Sequence, residues 1–183
     1  MKTTIPTEIQ QLAHDSYHIA RQKVMENVPI VLLHVAEEYS FVIQGKDAVE
    51  PYNMWVFDIG AEKTAREFFK HNPPTAGEVE NAIQVVEDEV MPLHRLLAPN
   101  SNLYTLDESV KEIAQQTLFL ESEHGVILSR TDMEQIFGRL AAIISGRPAS
   151  QDVLPTTNTY AATLLILREV MHHLGFSNIT VLE

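Results

Sequence analysis

Apolar residues along the chain change period several times, and each change marks an element. Ile9, Leu12, Ala13, Ile19, Ala20 and Val24 recur at helical spacing, which predicts a helix over Thr7–Glu26 that ends at Asn27–Pro29. Short, nearly continuous apolar runs follow and predict strands at Ile30–Val35, Tyr39–Gln44 and Tyr52–Ile59. The first two form a hairpin with its turn at Ala36–Glu37–Glu38, and Gln44–Asp47 carries turn chemistry before the third. Gly60 opens a helix over Ala61–His71, which Asn72–Pro73–Pro74 breaks.

Three Thr-x-x-Glu pairs, Thr75/Glu78, Thr105/Glu108 and Thr131/Glu134, read as capping boxes. They introduce helices over Ala76–Leu97 (bent at Pro92), Leu106–Leu120 and Asp132–Ser145. A short strand is expected near Leu103. A polar connection at Pro148–Pro155 precedes a strongly apolar helix at Thr157–Leu174, capped by Gly175, and a closing strand at Asn178–Leu182. There is no internal repeat and no linker, so residues 1–183 are expected to form one α/β domain.

Composition narrows the partners. A net charge of −12 and a pI near 5.0 argue against nucleic acid and anionic membrane. With no cysteine there are no disulfides and no thiolate metal sites, which suits a reducing cytoplasm. The N-terminal stretch lacks the apolar core of a signal peptide, and no run reaches the ~18 apolar residues of a membrane span. A cytoplasmic location is the expectation.

The usual catalytic signatures are missing. No phosphate loop, dinucleotide fingerprint or nucleophile elbow occurs; Ser129, Ser145 and Ser150 stand in other contexts. His14 and His18 lie one helical turn apart and could share a Zn²⁺ ion, but no third ligand stands at a recognisable spacing, so they read as surface histidines. His172–His173 suit a helix C-terminus. The acidic run Glu78, Glu80, Glu87, Asp88, Glu89 reads as a solvated helix face, able to meet a basic partner.

Two long stretches carry a resemblance. GAEKTAREFFKHNPPTAGEVENAIQVVEDEVMPL (Gly60–Leu93) is similar to a stretch of the exopolyphosphatase/guanosine pentaphosphate phosphohydrolase family, with its Gly-Ala, its helix and its Pro-Pro-Thr helix start. LSRTDMEQIFGRLAAIISGRPASQDVLPTTNTYAATLLILREVMHHLGFSNITV (Leu128–Val181) resembles that family's closing segment, including the Leu-Pro and the long helix ending Leu-Gly-Phe. Together they cover about half of the chain, in the family's order.

The resemblance implies an actin-like, ribonuclease-H-like fold: a mixed sheet of about five strands with helices on both faces. By length and order the chain resembles only the second lobe of such an enzyme. It also implies where phosphate would sit. The family's Asp-Ile-Gly-Gly-Gly-Ser-Thr-Glu loop, which cradles phosphate and holds the metal, falls on His34–Val35–Ala36–Glu37–Glu38–Tyr39–Ser40–Phe41. Its Gly-Gly-Thr turn falls on Asp107–Glu108–Ser109. Arg147 matches a family Arg, while a following Arg-Ala-Asp is replaced by Thr157–Asn158–Thr159.

Both turns have lost glycine and gained carboxylate. Glycine lets backbone N–H groups approach an anion; a side chain blocks that approach, and each carboxylate–phosphate pair at 4 Å costs roughly 1–4 kcal/mol. Glu37, Glu38, Asp107 and Glu108 are therefore either a ligand set for Mg²⁺ or Ca²⁺ or solvated turn residues. The reading that follows is a non-catalytic, exopolyphosphatase-like binding or regulatory module, a pseudoenzyme that pairs with a second copy or another protein. The alternative is a residual Mg²⁺-dependent phosphohydrolase acting on polyphosphate or a guanosine polyphosphate, completed by a second chain.

Overall fold

The computed structural model describes residues 5–24, 29–46, 50–117 and 120–183. One mixed sheet organises them. Its strands are β1 (Ile30–Val35), β2 (Ser40–Gly45), β3 (Asn53–Phe57), β4 (Asn102–Thr105), β5 (Leu120–Ser122), β6 (Gly125–Ser129) and β7 (Asn178–Leu182). They lie side by side in the order β3-β2-β1-β4-β7-β6-β5. The central three, β1, β4 and β7, run parallel, with Leu33 opposite Thr105 and Thr105 opposite Val181. Antiparallel hairpins extend the sheet at both sides.

The helices are α1 (Thr7–Lys23), α2 (Ala61–Phe68), α3 (Ala76–Val90), α4 (Glu108–Ala114), α5 (Arg130–Ile144) and α6 (Asn158–His173). Strand alternation sends Val31, Leu33, Val35 and Val42 to one face and Ile30, Leu32, Phe41 and Ile43 to the other. The first set meets α2–α6 in the larger core; the second meets Ala13, Tyr17 and Ala20 of α1. The centre of the larger core is α6, whose residues Tyr160–Leu167 are all buried and which packs on α2, α3, α4 and α5. That position explains a helix apolar nearly all round.

The α/β class, the hairpin, helices on both faces and the Asn178–Leu182 strand match expectation; the strand count does not. The sheet has seven strands, not about five, because β5 and β6 form a hairpin over residues 120–129, where the pattern predicts no strand, just past the helix expected over Leu106–Leu120. That helix stops at Ala114, where Gln116 N and Thr117 N turn back to Ile113 O and Ala114 O, and Arg139 donates to Gln116 O. Gly125, at φ +136°, then makes a turn that no side chain would fit: a Cβ there would lie 2.0 Å from Val181 O.

Other boundaries shift for visible reasons. Rather than running to Leu97, α3 ends at Val90 and passes into a 3₁₀ turn at Met91–Arg95 around Pro92. On α2 the end is Phe68, not His71; α1 ends at Lys23, and the expected end at Glu26 lies outside the described residues, as does part of the Gln44–Asp47 turn.

Of the three capping boxes, only Thr75/Glu78 forms. For α5 the cap is Ser129, whose Oγ accepts from Asp132 N, while Glu134 pairs with Arg168 at 3.0 Å. Thr105 stays in β4, and Asp107 takes the cap position of α4.

At the box that does form, Glu78 accepts from Thr75 N at 2.7 Å and Lys70 N at 2.9 Å, with the His71 ring 2.9 Å away. Those donors, the Thr75 N–H first, hold its carboxyl at about 2 instead of 4.5. The depressed folded-state value means that its contribution is complete above about pH 4.5 and is lost as pH falls toward 2. Glu78→Gln is expected to flatten the acid limb of stability in that window, read from urea midpoints against pH.

Candidate functional site: the two turns at the ends of the parallel strands

The two turns where the family resemblance would place phosphate lie together, at the carboxyl ends of β1 and β4. This is where open parallel sheets place ligands. The parallel pairing brings them there, since register-matched strands end side by side.

Asp107 is buried, with 8% of its surface exposed, and its carboxylate spans the two turns. One oxygen accepts from the backbone N–H of Val35 at 2.7 Å; the other lies 2.5 Å from His34 Nδ1. Its own N–H donates to Thr105 Oγ1 at 3.0 Å, and its carbonyl receives Val110 N and Lys111 N. The His34 ring also packs on Phe41, with centroids 4.9 Å apart. A backbone donor at the end of β1 is thus engaged by an anion belonging to the chain itself.

The hairpin turn is closed from its other side. Ala61 N and Lys63 N, in the first turn of α2, donate to Ala36 O and Glu37 O at 2.8 and 3.0 Å. The helix N-terminus thereby takes carbonyls rather than a ligand. Gly60 makes the approach possible: a Cβ would meet Glu37 O at 2.4 Å, Tyr39 N at 2.4 Å and the Glu38 carbonyl carbon at 2.5 Å. Ala36 N closes the turn on Tyr39 O at 2.9 Å.

The remaining carboxylates go elsewhere. Both Arg66 amines reach Glu38 at 2.8 Å, which lowers its pKa through that bidentate bond. Glu37 and Glu108 are exposed. Among the described residues, no three of Glu37, Glu38, Asp107 and Glu108 bring ligand atoms within 4.8 Å of one another. With Asp107 on Val35 N and Glu38 on Arg66, this arrangement does not fit Mg²⁺ or Ca²⁺. The four residues differ from both sequence readings: they are neither one ligand set nor uniformly solvated.

Ser109 lines a cavity of about 160 Å³ shared with Glu112 and with Pro155, Thr157, Tyr160 and Thr163 around the start of α6. Tyr160 Oη is buried there without a partner, and burial pushes its pKa up. Thr157 caps α6 by accepting Tyr160 N, and Thr159 Oγ1 donates to Glu62 at 2.8 Å, so this segment ties α6 to α2. Arg147 lies 3.4 Å from Asp152, which Arg139 also binds; the Arg139 bond holds the Asp152 carboxyl at about 2.

Sequence reasoning missed the partners of this site: Arg66, the Val35 N–H and the burial of Asp107. The one available signal was Thr105-Leu-Asp107 at the end of a strand, a pattern in which Thr can accept the Asp N–H.

The Ppx/GppA phosphatase of Aquifex aeolicus, in its type II variant, superposes with a TM-score of 0.72 over 91% of this chain, at 15% identity. The chain has the Ppx/GppA fold. An exopolyphosphatase from Cytophaga hutchinsonii gives a TM-score of 0.69 at 14% identity, again over 91% of this chain. An exopolyphosphatase-like protein gives 0.69 at 13% identity over 98%. No protein-family model matches the sequence, and no curated protein matches it. The chain spans 57% of the length of the first two structures and 62% of the third. On this Ppx/GppA scaffold, the turns at the ends of β1 and β4 are filled by Asp107 and by the first turn of α2.

Proposed function

We propose that this chain is a non-catalytic, exopolyphosphatase-like module that acts by binding a protein partner or a second copy of itself. The observation that carries the reading is the Asp107 carboxylate, held between the two turns by Val35 N and His34. A phosphate arriving there would have to displace a bonded anion and would meet Glu37 and Glu108 close by, so charge repulsion and lost hydrogen bonds both oppose it. Glycine-lined turns would favour an enzyme; carboxylate-filled turns favour a scaffold.

Surface supports the second half of the reading. Leu12 and Ile19, two helical turns apart on α1, are 41% and 47% exposed, an apolar stripe available to a partner. Two assays test the proposal. Phosphate release from polyphosphate and from guanosine pentaphosphate, with Mg²⁺, is expected to stay at the no-protein background; Mg²⁺-dependent release would return the residual hydrolase. Sedimentation across a wide concentration range is expected to show mass rising with concentration. A strict monomer would move the reading to a different protein as partner.

A further inference from the structure

The histidine pair on α1 acquires in the fold the third ligand that its sequence spacing lacks. His14 and His18, at i and i+4, share one face of α1. The connection between β2 and β3 brings Glu50 onto that face: Glu50 Oε2 lies 3.3 Å from His14 Nδ1. One ligand atom from each of His14, His18 and Glu50 falls within 4.8 Å of the others, and among the described residues no other histidine and carboxylate groups gather in this way.

The placement is built by other contacts. Arg21 Nη2 donates to Lys46 O at 2.8 Å, fastening the end of β2 to α1. Tyr52 N donates to Gln44 O at 2.9 Å, fixing the start of the next strand. Gly45 lets the buried Tyr17 ring pass close by, since a Cβ there would be 2.1 Å from Tyr17 Oη. Tyr17 in turn stacks edge-on against His18, with centroids 5.9 Å apart.

We propose that His14, His18 and Glu50 form a binding site for a borderline divalent transition metal of the Zn²⁺ type. Two imidazoles and one carboxylate suit Zn²⁺, whereas Mg²⁺ and Ca²⁺ require oxygen ligands. A tetrahedral ion holds its ligand atoms roughly 3.3 Å apart, the spacing that His14 and Glu50 already have, and His18 offers a ligand atom within 4.8 Å of both. His14 and His18 are half-buried and Glu50 exposed, so the fourth position faces solvent. Bound metal would clip the β2–β3 connection to α1, independently of the turns at the ends of β1 and β4.

The test is calorimetric titration of the full chain with Zn²⁺ alone and, separately, with Mg²⁺. Saturable binding of one Zn²⁺ per chain is expected, with no Mg²⁺ heat, and with affinity reduced roughly tenfold or more in His18→Ala and in Glu50→Gln. None of the three side chains is buried, so thermal unfolding of the metal-free variants is expected to stay close to the wild type and to show that they fold. Absence of Zn²⁺ binding, equal binding of Mg²⁺, or unchanged affinity in His14→Ala/His18→Ala would overturn the site, the last by placing the ion on other histidines.

Discussion

Asp107→Ala is expected to destabilise the chain by about 3 kcal/mol, the scale for removing a buried charged acceptor from its donors. The substitution leaves the Val35 N–H without its acceptor and His34 without its carboxylate, at a position 8% exposed. It also detaches the start of α4 from β1. His34→Ala should cost less, because the His34 side chain is 28% exposed and water can replace the ring at Asp107. Glu37→Ala, at an exposed position of the same turn, should stay within about 0.5 kcal/mol of wild type. Urea denaturation of the three variants separates a carboxylate that holds the turns together from one that merely decorates them. Equal, small effects at Asp107 and Glu37 would remove Asp107 from its assigned role.

Gly60→Ala is expected to be as damaging, about 3 kcal/mol, through overpacking. Its φ of −138° suits any residue, so the cost comes from space alone. The atoms a methyl would strike, at 2.4–2.5 Å, are backbone of the Glu37–Tyr39 turn. That turn cannot retreat without breaking the Ala61 N–Ala36 O and Lys63 N–Glu37 O bonds. Gly138→Ala gives the opposite sign. Nothing lies within 4 Å of a Cβ there, the position is inside α5, and alanine should stabilise by up to about 1 kcal/mol.

Elements bounded by local chemistry were legible in the sequence. The hairpin could be read because Ala36–Glu37–Glu38 separates two apolar runs, and the last strand because Gly175 ends the preceding helix just before the run Asn178–Leu182. The β5–β6 hairpin could not, since its first strand is short and joins an apolar run that continues the helical pattern of α4. Within the site, the location of both turns could be read, but not their content. Four carboxylates look alike in a sequence. Asp107 is distinguished by contacts with residues 72 and 73 positions away, and Glu38 by Arg66, 28 positions on. Glu50 is the same case: its meeting with His14 depends on how the sheet presents the β2–β3 connection to α1.

If Asp107 and the first turn of α2 fill the place where phosphate would bind, added phosphate compounds find no site on this chain. Thermal-shift titration of the purified chain with polyphosphate and with guanosine tetraphosphate, each with and without Mg²⁺, decides this. A ligand at 100 times its Kd would stabilise the fold by about 2.7 kcal/mol, a visible rise in Tm. No rise is expected under any of these conditions. A Mg²⁺-dependent rise with either phosphate compound would contradict it and restore the turns as a working phosphate site.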